Sequence, residues 1–333
     1  MTSQKSLLLL VFGLYYQMVM AQSSYLDKQT GNPIIPGYFA DPTVKKFGDT
    51  FYIYATTDGN GGGFGPSQVW TSKDFVNWSM QDMNWPTTHH YWAPDATLGP
   101  DGKYYLYYCQ PVEIFGASSS SPVGPWTPLL GPGKPIVPNF LVPNVITLDG
   151  QTFKDDDGKY YMYWGTWGIY PDHGCGVGLL NADMKSFSKL AQIPNTDAKD
   201  FFEAPFVFKR NGIYYLTYSS GYCEDGTYRV QYATATNPMG PFKYAANNPI
   251  LSTNGDGTVH GPGHQSVLQQ GDDFYLIYHR HNNPHADGGY HRQVAADKIV
   301  FDEKGNILKL MPTHTGIGYL GKNENPHPNL ALG

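Results

Sequence analysis

The sequence predicts an all-β fold, a five-bladed β-propeller, on the basis of three observations. A turn rich in Gly, Asp or Asn leads five times into a run of aromatic and β-branched residues, as in a β-hairpin. No amphipathic helical pattern of useful length appears. The first aromatic residues of the runs are 53, 56, 54 and 60 residues apart; they are Phe51, Tyr104, Tyr160, Tyr214 and Phe274. Such a period, with three or four short strands per unit, is typical of a propeller, whereas a β-sandwich would not need it.

The first two units show the pattern in full. The first contains "FGDTFYIYATT" from residue 47, followed by the turn "SKDFVNW" that ends at Trp78. The second contains "PDGKYYLYYCQ" from residue 100, followed by "SSPVGPW", which ends at Trp126. In each unit the aromatic run predicts an inner strand, and the later turn predicts the start of an outer strand.

The remaining three units repeat this order. The third contains "DDGKYYMYWGT" and "NADMKSF", and the fourth contains "RNGIYYLTYSS" and "TNPMGPF". The fifth starts with "QGDDFYLIYHR" from residue 270, but its second element, "ADKIVFDEKGNI", diverges, as terminal repeats often do. The five units fall between residue 31 and about residue 312.

Composition and the N-terminus indicate an exported globular protein. The chain has 333 residues, of which 41% are hydrophobic and 15% charged, so a packed core is expected. Residues 1–21 have a basic start, the apolar centre "LLLLVFGL" and small residues before position 22, which predicts a cleaved signal peptide and a secreted or periplasmic propeller over residues 22–333. The alternative is a membrane anchor, but this run is too short to span a bilayer, and no later stretch could do so.

Charge and cysteine content exclude further classes. The formal net charge is −6, and −7 once the single Lys of residues 1–21 is removed, so a chain without basic runs is a poor candidate for nucleic-acid binding. Three cysteines are too few for a disulfide scaffold and too scattered for a metal cluster. Buried free thiols are expected, and a Cys175–Cys223 disulfide is the alternative.

Every unit also carries an ionisable residue at a similar distance before its aromatic run. These residues precede the run by 10, 9, 11, 11 and 10 positions; they are Asp41, Asp95, Asp149, Glu203 and His264. The first strand of each blade lines the central channel of a propeller, so the five side chains are expected to converge near one mouth. Crowded carboxylates raise the pKa of one of them, which separates an acid from a base at neutral pH.

Some of these residues have simpler interpretations. An Asp before Pro is often a turn residue, and Asp95 in "PDAT" fits a capping turn. The acidic run at 155–157 fits the hairpin turn before "GKYY", and its spacing is not that of a calcium loop. Five ionisable residues nearly in phase nevertheless favour a shared site.

At these positions the sequence resembles glycoside hydrolase family 43, five-bladed propellers that cleave furanosides and xylosides with inversion. The resemblance spans about residues 33–312. "ADPTV" resembles the segment with the general base, here Asp41, and "EAPFVFKRNGIYYLTYS" the segment with the general acid, here Glu203. "LDGQTFKDDDGKYYMYWG" resembles the segment with the acid that tunes its partner, here Asp149, although Gly150 stands where Pro is frequent.

The resemblance extends to binding residues. "WAPDATLGPDGKYYLYY" implies that Trp92 stands beside the sugar, and "GPGHQSV" implies that His264 lies near a hydrated, structural Ca²⁺ in the channel. Arg292 resembles an arginine that contacts the substrate and the tuning acid. Asp95, Phe64 and Trp167 complete the predicted substrate-binding residues.

Other segments near the predicted mouth carry weaker signals. Tyr222 is a further ring that could stack on a sugar, and His89 and His90 could line the mouth. The loop "GNGGGFG" at 59–65 lacks the lysine of a phosphate loop, so it is expected to form part of the rim. The histidines of "HRHNNPHADGGYHR" lack catalytic-zinc spacing.

The sequence therefore predicts a secreted glycoside hydrolase that is inverting and exo-acting, with an oligosaccharide or polysaccharide substrate. Arabinofuranosyl, xylosyl and related furanosyl linkages stay open, as do endo action and the oligomeric state. One alternative is a catalytically inactive carbohydrate-binding propeller, which predicts loss of at least one of the three acids. Another is a retaining fructan-type enzyme, which would need Asn-Asp-Pro and Glu-Cys where this chain has Ala-Asp-Pro and Glu-Ala-Pro. No peptidase or dinucleotide motif is present.

Overall fold

The structure, a computed structural model, describes residues 31–59, 61–63, 65–86, 90–285 and 288–320. The predicted signal peptide, residues 1–21, lies outside this part of the chain. The strands are β1 (Phe39–Phe47), β2 (Thr50–Thr57), β3 (Gln68–Ser72), β4 (Ser79–Asp82), β5 (Trp92–Leu98), β6 (Tyr104–Cys109), β7 (Ile114–Ser119), β8 (Thr127–Pro128), β9 (Gln151–Lys154), β10 (Tyr160–Trp164), β11 (Gly174–Leu180), β12 (Phe187–Pro194), β13 (Glu203–Arg210), β14 (Ile213–Ser220), β15 (Arg229–Ala235), β16 (Lys243–Tyr244), β17 (Gly263–Gln270), β18 (Asp273–His281) and β19 (Arg292–Ile299).

These strands form five antiparallel sheets, which confirms the predicted five-bladed propeller. Four sheets contain four strands each, in the sequential orders β1–β4, β5–β8, β9–β12 and β13–β16, and the fifth contains β17–β19. The aromatic runs are β2, β6, β10, β14 and β18, the second strand of every blade, as the hairpin pattern predicts. Their alternating rings pack between neighbouring sheets, because successive side chains of a strand point to opposite faces.

The hydrophobic core lies in the seams between blades. Five clusters of buried residues each join two neighbouring blades, and the cluster of the closing seam combines side chains of blades one and five such as Phe51 and Tyr275. Each inner sheet face is therefore buried, which stabilises a ring of sheets that could not stand alone.

The N-terminal segment closes the ring against the fifth blade. The backbone N–H of Ile34 donates to the carbonyl of Val294, at 2.9 Å. The side chain of Asn32 accepts from the backbone N–H of Ala296, at 2.8 Å, and donates to its carbonyl, at 3.1 Å. Residues from the start of the propeller thus cover the outer edge of β19, which explains why the fifth repeat diverges.

Backbone irregularities in the innermost strands mark equivalent positions in the five blades, and we call a residue's place relative to this position its phase. The register shifts between Ala40 and Thr43 in β1, and equivalent shifts occur in β5, β13 and β17. At each shift, and before β9, one residue has a positive φ of 44–57°; these residues are Asp41, Ala93, Asp149, Ala204 and His264. Asp41, Asp149 and His264 are thus structurally equivalent.

The prediction that all five ionisable residues share one phase is wrong for two of them. Glu203 lies one position before the positive-φ residue of its blade, and Asp95 lies two positions after. Counting back from the aromatic strand could not resolve this difference, because the hairpins vary in length and each bulge adds an unpaired residue.

The structure bears on two further points. All three cysteines are free thiols, so the alternative Cys175–Cys223 disulfide is not formed; Cys109 and Cys175 are buried, and Cys223 is half-buried. Within the described ranges, no helix is long and apolar enough to cross a membrane.

Candidate active site

A cavity of about 230 Å³ lies at one end of the propeller channel, where residues from all five blades meet. Its lining comes from the innermost strands and from the loops that connect the second and third strands of the blades. The lining residues are Asp41, Gly61, Gly62, Trp92, Cys109, Pro111, Leu148, Asp149, Trp167, Glu203, Cys223, His264, Tyr290 and Arg292. The volume is below the roughly 300–1,000 Å³ of pockets for drug-sized ligands, so the cavity suits a single small ring.

Asp41 is held in its ionised form by the groups around it. Its Oδ1 atom lies 3.2 Å from an Arg292 guanidinium nitrogen and 3.1 Å from Nδ1 of His264, and its Oδ2 accepts from the Thr56 hydroxyl at 2.6 Å. Burial raises the pKa of Asp41, but the cationic His264 and Arg292 outweigh it and hold that pKa well below its usual range. Asp41 is therefore an ionised carboxylate near neutral pH.

Arg292 is fixed by a second carboxylate that the sequence interpretation missed. Its guanidinium pairs with Asp58 through two bonds, of 2.8 Å from Nε to Oδ2 and 3.0 Å from Nη2 to Oδ1. Both residues are buried. A planar guanidinium clamped in this way keeps its orientation, so Arg292 presents its remaining nitrogen to Asp41.

Replacing Asp58 by alanine is expected to lower the free energy of unfolding by about 3–5 kcal/mol, because one partner of a buried ion pair is removed. Arg292 would then keep Asp41 as its partner carboxylate. Urea denaturation measures the change. The control Asp49→Ala removes a carboxylate from an exposed pair with Lys73 and is expected to have little effect. A wild-type unfolding free energy for Asp58→Ala would contradict this role of the pair.

Glu203 has the opposite electrostatic environment. Burial, followed by the neighbouring carboxylate Asp149, raises the pKa of Glu203 to about 7. Its Oε1 accepts from the Tyr228 hydroxyl at 2.6 Å, and its Oε2 accepts from the Trp167 indole N–H at 3.1 Å. The side chain thus retains a proton near neutral pH and is held from both oxygens.

Asp149 contacts the backbone beside Glu203 and also lies near His264, the partner of Asp41. Its Oδ2 accepts from the backbone N–H of Ala204 at 3.0 Å, next to Glu203, and lies 3.9 Å from Nδ1 of His264. Burial raises the pKa of Asp149 to about 6, against the lowering effect of the His264 cation. The thiol of Cys109 is 3.8 Å from Oδ1. The charge of Asp149 in turn raises the pKa of Glu203.

Two buried histidines differ in charge, since one is cationic and the other is neutral. Burial lowers the pKa of His264, but Asp41 and Asp149 outweigh it and raise that pKa to about 9. Burial and the nearby Arg292 lower the pKa of His279 to about 3. His279 is accordingly neutral, and its Nδ1 accepts from the backbone N–H of Asp41 at 3.1 Å. One histidine supplies charge beside Asp41, while the other fixes its backbone.

The structure brings most of the predicted binding residues to the cavity. Trp92, Trp167, His264 and Arg292 all line it together with the three predicted acids. The Trp92 indole N–H donates to the carbonyl of Gly62 at 2.6 Å. Gly63, with φ of 75°, passes so close that a Cβ atom there would lie 1.9 Å from that indole nitrogen. The glycine-rich loop thus covers one edge of Trp92.

Asp95 is not brought to the cavity. It is buried, pairs with Lys45 at 2.8 Å, and accepts from the backbone and hydroxyl of Thr152. It therefore joins the first three blades below the site, as its phase two positions further along β5 requires. Phe64 and His89 lie outside the described residues, and Tyr222 is exposed on the rim without lining the cavity.

Further residues of the site come from segments whose sequences do not recur from blade to blade. Cys223 and Tyr290 line the cavity, and Tyr228 and Asp58 contact its acids or its arginine. The sequence offered one indirect signal, since Asp58 directly follows the aromatic strand β2 at the rim, where loop residues are often functional.

Two groups of side chains bring candidate metal-ligand atoms within 4.8 Å of one another; they are Asp41, His264 and His279, and Asp149, Glu203 and His264. In both groups the carboxylates approach Nδ1 of His264, with Asp41 Oδ1 at 3.1 Å and Asp149 Oδ2 at 3.9 Å. Ca²⁺ prefers oxygen ligands, so these carboxylates fit the ion, and His264 would contact it through a water molecule.

Comparison with known proteins gives a consistent family match. The model of "Glycosyl hydrolases family 43" matches residues 30–307. Beta-D-galactofuranosidase xynD of Aspergillus niger is 30% identical over 87% of this chain and 88% of its own length.

Solved structures agree in fold and in family. A thermostable family-43 glycoside hydrolase superposes with a TM-score of 0.74 and is 26% identical, over 88% of this chain and 99% of its own. CoXyl43, a GH43 beta-xylosidase/alpha-arabinofuranosidase from a compost microbial metagenome, was solved with xylotriose in a calcium-free form. It is 26% identical and has a TM-score of 0.65, over 84% of this chain and 97% of its own.

Proposed function

This chain belongs to glycosyl hydrolase family 43 and is a glycoside hydrolase, and from that premise we propose that it is a secreted, inverting, exo-acting enzyme. The family assignment confirms the resemblance of its motifs. The proposed substrates are arabinofuranosyl, xylosyl or galactofuranosyl units at the ends or branches of oligosaccharides and polysaccharides. Related proteins with galactofuranosidase and with xylosidase and arabinofuranosidase names support this range.

The observation that carries the mechanism is the opposite protonation of two carboxyl groups in one cavity. Asp41 is ionised by its cationic neighbours, whereas Glu203 is protonated near neutral pH. An inverting glycosidase needs one carboxylate to activate water and one carboxylic acid to protonate the leaving oxygen, roughly 6.5–9.5 Å apart. We assign the base to Asp41 and the acid to Glu203.

The reaction follows from these roles. Asp41 takes a proton from a water molecule, whose oxygen attacks the anomeric carbon from the face opposite the leaving group. Glu203 gives its proton to the glycosidic oxygen as that bond breaks, so the products are a free sugar of inverted configuration and an alcohol. Arg292 and His264 keep Asp41 ionised, and the charge of Asp149 keeps Glu203 protonated until the transition state.

The size of the cavity supports exo action. About 230 Å³ accommodates one sugar ring, and Trp92 offers an indole face beside it. Asp41, Arg292 and Glu203 all line this cavity, so the ring would be bound beside both the base and the acid. The rest of the substrate must then lie outside the cavity.

A panel of aryl arabinofuranosides, xylosides and galactofuranosides tests the function, with NMR of the first product anomer. Release of a sugar with inverted configuration is expected from at least one of them. Retained configuration would overturn the inverting mechanism. Binding without release from any aryl glycoside or polysaccharide would favour the catalytically inactive carbohydrate-binding propeller instead.

The pH dependence of kcat/KM should identify the acid. Activity is expected to fall as the pH rises through the pKa of Glu203, about 7. On the acid side it should persist to a pH well below the usual titration range of an aspartate, because the pKa of Asp41 is strongly lowered. Asp149→Asn removes a negative neighbour, so the alkaline limb should move to lower pH. Tyr228→Phe removes a hydrogen bond to the ionised Glu203, so that limb should move to higher pH. If the alkaline limb lies at the same pH in the wild type and in both variants, Glu203 is not the general acid.

Calcium is proposed as a structural ion rather than as a participant in bond cleavage. His264 would hold it through a water molecule, beside Asp41 and Asp149. Thermal unfolding with CaCl₂ and with EGTA tests this, with His264→Gln as the variant without the ligand. The expected result is a higher Tm with calcium in the wild type alone.

Export is proposed from the signal-like residues 1–21. Mass spectrometry of the protein secreted by its own host should give a mature chain that starts at Gln22. A mature N-terminus at Met1 would contradict cleavage.

A further inference from the structure

The position of the acid determines where the leaving group lies. A general acid must be within hydrogen-bond reach of the oxygen that it protonates. The part of the substrate beyond the cleaved bond must therefore leave the cavity past Glu203. Trp167 lines the cavity and donates its indole N–H to Glu203, so this indole stands beside that exit.

The loop that carries Trp167 continues from the cavity to the outer surface. Its start is pinned, because the backbone N–H of Trp167 donates to the carbonyl of Phe202 at 2.6 Å, and a turn follows in which His173 N–H donates to Tyr170 O at 3.1 Å. Between these points the side chains of Ile169 and Tyr170 are 66% and 37% exposed. An exposed apolar surface thus begins two residues after Trp167, whose indole contacts the acid.

A second loop adds another ring to this surface. Phe140 is 44% exposed and its ring lies 5.6 Å from that of Tyr170, edge to face. Asn139 accepts from the backbone N–H of Thr147 at 3.1 Å, which closes this loop. Together, Phe140, Ile169 and Tyr170 form a surface that we call the outer aromatic patch.

The patch is held in place from below. Leu141 and Trp167, neighbours of the patch in its two loops, pack against the same buried cluster between blades two and three. Phe140 and Trp167 both have positive φ angles, of 59° and 60°, which are uncommon for bulky residues. Rigid exposed rings lose little conformational freedom on binding a ligand, and contiguous exposed apolar residues often mark binding surfaces.

We propose that the outer aromatic patch is an aglycone subsite that binds the main chain of a polysaccharide. The C–H faces of its sugars would stack on Phe140 and Tyr170 while the cleaved unit occupies the cavity. This inference rests on the proposed function, because it takes Glu203 as the acid. With this subsite, the enzyme cleaves polymeric substrates in preference to short glycosides.

The test compares Phe140→Ala and Tyr170→Ala with the wild type on two substrates. One is the best aryl glycoside of the panel, and the other is the polysaccharide cleaved fastest among arabinoxylan, arabinan and a galactomannan with galactofuranosyl branches. For each variant, kcat/KM is expected to fall about 3- to 10-fold on the polysaccharide and to stay unchanged on the aryl glycoside. The control is Tyr319→Ala, since Tyr319 is a 47% exposed ring outside both the patch and the cavity lining, and both rates should stay at the wild-type level.

A binding measurement separates this inference from the proposed function. Affinity electrophoresis in gels that contain the polysaccharide compares Glu203→Gln with the same protein carrying Tyr170→Ala. Weaker retardation of the double variant supports the patch even if the wild type proves inactive. Equal losses on both substrates, or no loss on either, overturn the inference while leaving the hydrolase intact. A patch variant that instead changes the mass in light scattering would assign the patch to a second copy of the chain and overturn the inference too.

Discussion

Glu203→Gln is expected to reduce kcat by about 10²–10⁴-fold on natural glycosides, because it removes the proton that the leaving oxygen needs. On an aryl glycoside with a nitrophenolate leaving group the loss should be much smaller, since that group departs without protonation. The amide fits the same contacts: its oxygen accepts from the Trp167 indole, and its NH₂ donates to the Tyr228 oxygen, which can accept. Sugar binding should therefore persist.

The leaving-group dependence is the decisive measurement. Rates of wild type and Glu203→Gln on a series of aryl glycosides should diverge as the pKa of the phenol rises. Glu113→Gln, on a rim turn outside the cavity lining, is the matched control and should behave as the wild type does. A uniform loss across the series would mean that Glu203 does not protonate the leaving oxygen.

The blade pattern was predictable because it depends on local chemistry. Each aromatic run follows a turn whose Gly and Asp residues are required by the hairpin, and rings at alternate positions fill a seam between sheets. Phe51 and Tyr275 therefore meet in the closing seam although they lie far apart in sequence. The same regularity places Asp41 and Asp149 at equivalent positions around one opening, and Glu203 one residue from that position.

The remaining site residues depend on geometry that no repeat encodes. Asp95 and Glu203 differ in phase because bulges insert unpaired residues, which cannot be counted from the strand pattern. Asp58 directly follows β2 and meets Arg292 of the fifth blade only when the ring closes. Tyr228 directly precedes β15 and contacts Glu203 within the fourth blade. Burial, which raises the pKa of Glu203 and opposes the effect of the cations on Asp41, is also a property of the closed ring.

Asp41→Gly is expected to reduce activity by about 10³-fold or more on every substrate, including aryl glycosides with good leaving groups, because no group remains to activate water. Glycine suits this position, since the backbone φ of Asp41 is 52° and a residue without Cβ adopts it without strain. Arg292 keeps its two bonds to Asp58, so the cavity wall should stay in place.

Asp41→Gly leaves a space beside Arg292 that a small anion can enter. This space allows a test of the face from which the nucleophile attacks the anomeric carbon. Sodium azide needs no base, so it should restore turnover of an aryl glycoside by Asp41→Gly, and the glycosyl azide should have inverted configuration. Azide should not accelerate Glu203→Gln, in which water is still activated by Asp41. Rescue of the Glu203 variant alone, or a retained azide product from Asp41→Gly, would mean that the two carboxyl groups have exchanged roles or that the reaction passes through a covalent intermediate.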